Sequence, residues 1–134
     1  MTLLKKAQHL LTGETAEQDA CQFLIKNKLK LVSKNYRCKF GEIDLIMLDK
    51  QSLVFVEVRY RKNSQFGSGA ESITSNKQHK LIKTASYYLQ QNPQAFQYAA
   101  RFDVVSMSPG ITSNNPTNPE NETKIDWIKD AFQA

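Results

Sequence analysis

Hydrophobic residues recur at helical spacing in two segments of the chain. Intervals of three and four residues place each set on one face of a helix. The sets are Ala16, Ala20, Phe23 and Leu24 in the first segment, and Leu81, Ala85, Tyr88 and Leu89 in the second, with Lys77 on the same face. Thr12 is the predicted N-cap of the first helix, and a capping-box pattern from Ser75 opens the second, which Asn92–Pro93 ends.

Five other segments have the composition of strands, with β-branched and aromatic residues bounded by turn residues. They are residues 29–38, 42–48, 53–61, 101–107 and 124–129. Together with the helices they give the order α-β-β-β-α-β-β. This order predicts an α/β fold with a mixed central sheet flanked by helices.

The domain organisation follows from length and from two irregular segments. A chain of 134 residues suggests a single domain over residues 1–134. Residues 1–12 are predicted to be an N-terminal arm. Residues 108–123 hold three prolines, four asparagines and a glycine, so they are predicted to be a flexible loop.

Charge and composition narrow the partner and the compartment. Eighteen Lys and Arg against thirteen Asp and Glu give a net charge of +5, which favours an anionic partner, above all nucleic acid. No apolar run approaches the ~20 residues of a membrane span, so no membrane partner is expected. Two cysteines cannot form a disulfide framework, and no signal-peptide pattern is present, so a cytoplasmic location is predicted.

The second and third strands bring two carboxylates together. If the four-residue turn pairs the strand ends around it, Asp44 falls opposite Glu57 and Glu42 falls opposite Arg59. Side chains placed directly opposite have Cβ atoms ~4.5–5.5 Å apart, so two like charges there are destabilising. Apolar residues flank both carboxylates. The opposed pair Glu42 and Arg59 favours a salt bridge.

Two interpretations of this carboxylate pair stay open. In one, the pair lies at an exposed, frayed end of the sheet, where nearby arginines neutralise it. In the other, the pair is buried, and either one carboxyl is protonated or a cation lies between them. Hard oxygen ligands suit Mg²⁺ or Mn²⁺.

The hairpin also carries a resemblance to a known family. Gly41-Glu42-Ile43-Asp44-Leu45-Ile46, followed by Phe55-Val56-Glu57-Val58-Arg59-Tyr60-Arg61, resembles the signature of the YraN-like family of small, poorly characterised bacterial proteins. That family is similar to Holliday-junction resolvases within the PD-(D/E)XK, restriction-endonuclease-like superfamily. The resemblance implies a restriction-endonuclease-like fold and metal-dependent cleavage of DNA.

The resemblance implies a role for each matching residue. Asp44 and Glu57 match the superfamily's two acidic metal ligands, and the backbone carbonyl of Val58 is expected to reach the same ion. Glu17 matches the first-helix glutamate, a further ligand through water. The implied cofactor is Mg²⁺ or Mn²⁺.

One position departs from the superfamily pattern. The lysine that usually follows two residues after the glutamate is here Arg59, and arginine stays protonated, so it is a poor general base. Lys77, on the inward face of the second helix, either supplies the missing ammonium or is an ordinary surface lysine. The candidate catalytic residues are therefore Asp44, Glu57, Arg59 and Lys77.

The functional hypothesis is a metal-dependent endonuclease that hydrolyses DNA phosphodiester bonds, with structured or branched DNA as one substrate class. The alternative is a catalytically inactive nucleic-acid-binding protein with a nuclease-like fold, and a protein-interaction adaptor is a third, weaker hypothesis. A homodimer also stays open. The residues expected to contact nucleic acid are Arg59, Arg61, Lys62, Lys77 and Lys80.

Overall fold

The computed structural model describes residues 13–61, 73–109 and 123–134. Two α-helices and five strands make up most of this part of the chain. The helices are α1 (Gly13–Lys26) and α2 (Ser75–Gln91), and a 3₁₀ helix at Pro93–Gln97 follows α2. The strands are β1 (Lys30–Cys38), β2 (Gly41–Asp49), β3 (Ser52–Tyr60), β4 (Ala99–Pro109) and β5 (Thr123–Phe132).

The five strands form one mixed sheet in the order β1-β2-β3-β4-β5. The pairs β1–β2, β2–β3 and β4–β5 are antiparallel, and β3–β4 is parallel. A parallel pair needs a long crossover between its strands, and α2 lies within this one. The predicted α/β class, element order and mixed sheet are confirmed.

Each face of the sheet is covered by one helix. The face under α1 is packed by the helix stripe and by the central strands, with Ala16, Ala20, Cys21, Leu24, Leu29, Leu45, Met47, Val54, Val56, Val105 and Met107 buried. The face under α2 buries Ile43, Ile46, Leu53, Phe55, Leu81, Ala85, Tyr88, Ala95 and Phe102. Strands β2 and β3 are therefore apolar on both sides, as central strands are.

Strand β2 departs from strict alternation at Asp44. Strict alternation would place Ile43 on the same face as Leu45 and Met47, but it packs in the cluster under α2 instead. The hydrogen-bonded pairing of β2 with β3 runs from the turn as far as Leu45. Before that residue β2 keeps β1 as its partner, so its course is set by β1 and α2, and Ile43 turns toward α2.

Several boundaries differ from the predicted ones. The N-cap of α2 is Thr74 rather than Ser75, because the Thr74 hydroxyl accepts the backbone N–H of Lys77 at 3.2 Å. Both closing strands are longer than predicted, so residues 108, 109 and 123 belong to strands and not to a loop. The rest of the predicted loop, the predicted arm over residues 1–12 and the predicted cap Thr12 lie outside the described residues.

Candidate metal and nucleic-acid site

The candidate site lies where β2 and β3 separate. The predicted register is correct through the last ladder pair, Leu45 with Val56. Asp44 and Glu57 come next on the two strands. At this point a hydrogen bond to the Asp44 side chain replaces the backbone hydrogen bonds of the ladder. Its Oδ2 accepts the backbone N–H of Val58 at 2.8 Å. The carboxylate of Asp44 therefore bridges the fork between the strands, next to Glu57.

The electrostatics of the fork are unfavourable for Asp44 as an anion. Burial, which is the largest cause, and the charges of Glu57 and Glu17 together raise the pKa of Asp44 from 3.8 to about 7. The hydrogen bond from the Val58 N–H lowers the pKa and only partly offsets these effects. Glu57 itself is buried, with 6% of its surface exposed. The buried interpretation of the carboxylate pair is thus the one that the structure supports.

Helix α1 supplies the third carboxylate. Glu17 lies between the buried residues Ala16 and Ala20, at the edge of the face that α1 packs on the sheet, as its helical position predicted. One of its oxygens, Oε1, is fully buried. Glu17 also lines a small cleft of about 120 Å³ together with Asn35 and Leu45. Because α1 packs across β2, Glu17 approaches the fork from the face of the sheet that α1 covers.

Helix α2 brings a cation to the same place. The ammonium of Lys77 forms an ion pair with Oε2 of Glu57, and 46% of the lysine side chain is exposed against 7% for the glutamate. Capping by Thr74 fixes the first turn of α2, from which Lys77 extends. Of the two alternatives for Lys77, the structure favours an ammonium held at the carboxylates over an ordinary surface lysine.

The remaining predicted site residues lie further from the two carboxylates of the fork, or outside the described residues. Arg59 lies further along β3 and is half-buried, and within the described part of the chain its side chain forms no ion pair. The expected salt bridge between Glu42 and Arg59 is wrong, because Glu42 pairs with Arg37 at 2.9 Å across the β1–β2 ladder. The backbone of Arg61 donates to the carbonyl of Met107, and Lys62 is outside the described residues.

A groove beside the fork runs along the start of α2. It has a volume of about 410 Å³, and its lining includes Gly41, Thr74, Asn76, Lys77 and Lys80. Close packing of β2 against α2 shapes it: a Cβ built on Gly41 would lie 3.2 Å from the Thr84 hydroxyl. Cationic side chains and the N-terminal end of a 17-residue helix meet here, and both favour phosphate.

The donor set fits a small, hard cation with a large share of water ligands. Among residues 13–61, 73–109 and 123–134, no group of three or more His, Cys, Asp or Glu side chains could hold a metal ion. Mg²⁺ needs fewer, since it is commonly bound by one or two carboxylates and keeps several waters. Asp44 and Glu57 are two carboxylates at one end of the hairpin, which is the number that such a site commonly uses.

Comparison with known proteins identifies the family. The model of the Uncharacterised protein family UPF0102 matches residues 16–107. The chain belongs to this family. The YraN-like family is the same family, so the resemblance seen in the sequence is confirmed. The fork, Glu17 and Lys77 all lie within the matched UPF0102 segment.

Full-length relatives agree with this assignment. A UPF0102 protein of Nitrosococcus oceani is 47% identical over 131 residues, covering 98% of each chain. One of Nitrosomonas europaea is 49% identical over 120 residues, covering 90% of this chain and 92% of the relative. A third, of Francisella tularensis subsp. novicida, is 41% identical over 126 residues, covering 93% and 97%. In the part of the UPF0102 chain that the structure describes, no helix has the length and apolar character to cross a membrane.

Three residues that line the cleft next to Glu17, namely Gln18, Lys34 and Asn35, were not predicted to lie at the site. Gln18 follows Glu17 on α1, and Asn35 lies on β1. Asn35 adopts a left-handed conformation with φ of 51°. Asparagine is one of the few residues that tolerates this region, so an asparagine inside a predicted strand was the available signal. Gln18 gave no comparable signal, because glutamine is ordinary on a helix.

Proposed function

We propose that this chain is a metal-dependent endonuclease that hydrolyses DNA phosphodiester bonds, with structured or branched DNA as the substrate class. The observation that carries the proposal is the fork between β2 and β3. There Asp44 and Glu57 are held side by side, Glu17 approaches from α1, and the Lys77 ammonium reaches Glu57 from α2. Groups on four separate elements converge there, and the repulsion among the three carboxylates destabilises the fold, which favours a functional explanation.

In this proposal Asp44, Glu57 and the Val58 carbonyl hold Mg²⁺ or Mn²⁺, and Glu17 contacts the ion through water. The ion would polarise a phosphoryl oxygen and lower the pKa of a bound water. The protein's contribution is geometric. The hydrogen bond from the Val58 N–H fixes Asp44 Oδ2, and the last ladder pair, Leu45 with Val56, brings the next residues on the two strands, Asp44 and Glu57, to the same end of the hairpin.

The two cations of the site have different tasks in the proposal. Lys77 has the flexible ammonium that the superfamily lysine would provide, and its contact with Glu57 places it beside the proposed ion. From there it orients the attacking water and stabilises negative charge that develops on the phosphate. Arg59 is permanently charged, so it serves only to stabilise negative charge on the phosphate.

The proposed DNA path runs over the groove at the start of α2. Lys77 and Lys80 line this groove together with Glu42, whose charge is paired with Arg37 at 2.9 Å, and no acidic residue lies in the first turn of α2. Arg59 and Arg61 extend the proposed contact along the end of β3, and Lys62, which is outside the described residues, stays a predicted contact. Phosphate contacts of this kind give affinity without sequence preference.

The compartment and the oligomeric state are part of the same proposal. A nuclease for chromosomal DNA in a bacterial cell acts in the cytoplasm. Symmetric cutting of a branched substrate requires two sites related by a two-fold axis, so we include a homodimer on the substrate. Light scattering with and without a four-way DNA junction measures this directly, and a single protomer per junction would contradict it.

The deciding experiment is cleavage of linear, flapped and four-way DNA in Mg²⁺ and in Mn²⁺. Asp44→Ala should lose at least about 100-fold in rate, because it removes one of two proposed carboxylate ligands. The matched control is Asp126→Asn, which removes an exposed carboxylate on β5 and should cut like the unaltered protein. Full cleavage by Asp44→Ala would overturn the proposal.

The second candidate function, binding without cleavage, is favoured by one observation: arginine stands where the superfamily lysine is expected. It predicts that the unaltered protein binds DNA in a salt-sensitive way and cuts no substrate in either metal. The Lys77–Glu57 contact argues against it, since an ammonium is already available at the carboxylates.

A further inference from the structure

A second groove lies at the other end of the β2–β3 hairpin, where the turn joins the two strands. Its volume is about 790 Å³, the largest among the grooves described above. The C-terminal end of α1, the β2–β3 turn, β4 and β5 all contribute to it. Its charged and aromatic lining consists of Lys28, Asp49, Lys50, Arg101, Trp127 and Lys129.

The lining is strongly cationic. Asp49 is the only acidic residue among the described residues of the lining, and it is neutralised by the Nη2 of Arg101 at 2.9 Å. The three lysines, Lys28, Lys50 and Lys129, remain. Within the described part of the chain none of them forms an ion pair, so their charges are available to a ligand.

The floor of the groove is rigid and preformed. Asp103 has no exposed surface and accepts four hydrogen bonds from the chain. Arg101 donates two of them, Trp127 Nε1 donates one at 2.9 Å, and the backbone N–H of Asp130 donates the fourth at 2.9 Å. The ammonium of Lys129 then rests 4.4 Å above the centre of the Trp127 ring.

Two of the three lysines occupy positions that favour glycine. Lys28 has φ of 74° and Lys50 has φ of 56°. Lys28 follows α1, and the N–H of Leu29 bonds to the Leu24 carbonyl at 3.1 Å, an arrangement in which glycine usually fills the left-handed position. Lys50 lies in a two-residue hairpin turn, where glycine or asparagine is preferred. A sequence selected only for these turns would not place lysine at both.

We propose that this cationic groove binds a second stretch of nucleic-acid phosphodiester backbone, without reading its sequence. Separate ammonium groups on three different elements suit a row of phosphates better than one compact anion, and lysine binds phosphate as a point charge. Asp49 and Asp44 lie five residues apart on one strand, so the end of the groove at the hairpin turn is about 17 Å from the fork, at ~3.4 Å per residue. The proposal rests on the proposed function only for the class of ligand.

The first test compares two pairs of lysine substitutions on the same elements. Lys28→Gln with Lys129→Gln removes two groove charges. Lys26→Gln with Lys124→Gln removes two exposed charges from α1 and β5 that do not line the groove. Binding of a four-way DNA junction is measured by fluorescence anisotropy in EDTA over a range of salt concentrations. The groove pair should lower the slope of log K against log salt by about 2, at ~0.9 per phosphate contact, and the control pair should leave it unchanged.

The second test separates binding from stability. Lys28→Gly with Lys50→Gly suits both left-handed positions, so the midpoint of thermal unfolding should equal or exceed that of the unaltered protein. DNA affinity should nevertheless fall at least about 10-fold at low salt, since two proposed phosphate contacts are gone. Unchanged affinity in this variant would show that the lysines serve the turns alone.

The outcomes for the groove and for the fork are distinct. All binding is measured in EDTA, so loss of cleavage by Asp44→Ala has no bearing on it. If the groove pair and the control pair share one salt slope, the groove proposal is overturned, whatever the cleavage result. If the unaltered protein binds no DNA, the groove proposal is overturned as well. A reduced slope in a protein that cuts nothing supports the groove while contradicting the nuclease.

Discussion

Two aspartates of the sheet, Asp103 and Asp44, are held in opposite ways. Asp103 lies on β4 beside Val56 of β3, where it is fully buried and accepts four hydrogen bonds, two of them from a guanidinium. At the fork end, Asp44 accepts one backbone hydrogen bond and faces the charges of Glu57 and Glu17. One carboxylate is satisfied within the fold, whereas the other is left with two like-charged neighbours.

This difference distinguishes a carboxylate with a structural role, Asp103, from one with a proposed functional role, Asp44. A buried carboxylate with a full set of donors ties strands together, and Asp103 joins β4 to β5 through Trp127 and Asp130. A buried carboxylate with carboxylate neighbours lowers stability unless a proton or a cation joins it. Removing each aspartate in turn should therefore have opposite effects on the metal-free protein.

The largest effect on the unfolding free energy is expected at Asp103, the aspartate with a full set of hydrogen-bond donors. Asp103→Ala leaves the Arg101 charge and the Trp127 and Asp130 N–H groups without their buried acceptor, which costs about 3–5 kcal/mol of unfolding free energy. Urea denaturation followed by circular dichroism measures this loss. Asp126→Asn, an exposed carboxylate on β5, is the control and should change the unfolding free energy by less than about 0.5 kcal/mol. A loss below about 1 kcal/mol for Asp103→Ala would show that the network is not structural.

The next effect is the pH dependence of the metal-free protein. The pKa of Asp44 is raised from 3.8 to about 7, so between these values the native state binds more protons than the unfolded state. The unfolding free energy should then fall as pH rises through this window, by about 2–4 kcal/mol. Asp44→Asn keeps an acceptor for the Val58 N–H and carries no charge, so this fall should shrink and the variant should be the more stable protein at pH 8.

Urea denaturation in EDTA at pH 4, 6 and 8 checks this prediction. The difference between Asp44→Asn and the unaltered protein must grow with pH, because the penalty exists only while Asp44 is ionised. Asp49→Asn is the instructive control, since it removes a carboxylate from the turn end that has its own guanidinium. It should be less stable than the unaltered protein at pH 8. Destabilisation of Asp44→Asn at pH 8 would mean that the ionised Asp44 carboxylate already has favourable partners in the metal-free protein.

A smaller effect is expected from divalent cations. At pH 8, Mg²⁺ or Mn²⁺ at 10 mM should add about 1.4 kcal/mol to the unfolding free energy if this concentration is ten times the Kd of the ion. The thermal midpoint of the unaltered protein should rise by roughly 3–5 °C. The rise should be absent in Asp44→Asn and in Glu57→Gln, while Asp126→Asn should retain it. Equal rises in all four proteins would place the cation elsewhere.

Much of the fork was predictable from the sequence, because its geometry follows from local rules. A four-residue turn and period-two alternation set the register, and the observed ladder through Leu45 and Val56 is the predicted one. The helical spacing of α1 placed Glu17 at the edge of its buried face. These are short-range consequences of chain geometry, so they needed no knowledge of the rest of the fold.

Other features depended on contacts that no local pattern encodes. The change of face at Ile43 arises because β2 leaves β3 and follows β1 and α2, which is a tertiary effect. The ion pair of Lys77 with Glu57 depends on how α2 packs over the end of the sheet, so the sequence left two alternatives for that lysine. The groove at the turn end combines four elements distant in sequence, and its lysines were not singled out.

The smallest expected effect concerns Lys77, the cation that α2 contributes to the fork in the described part of the chain. Lys77→Met removes the ammonium from Glu57 while keeping a similar apolar stem, so the metal-free protein should lose about 0.5–1 kcal/mol, little because the lysine is half-exposed. Lys80→Met, one turn further along α2, is the matched control and should leave stability unchanged. In a cleavage assay Lys77→Met should lose far more rate than Lys80→Met if the ammonium orients water or stabilises charge on the phosphate. Equal rates for the two variants would leave Lys77 as a partner of Glu57 alone and would favour binding without cleavage.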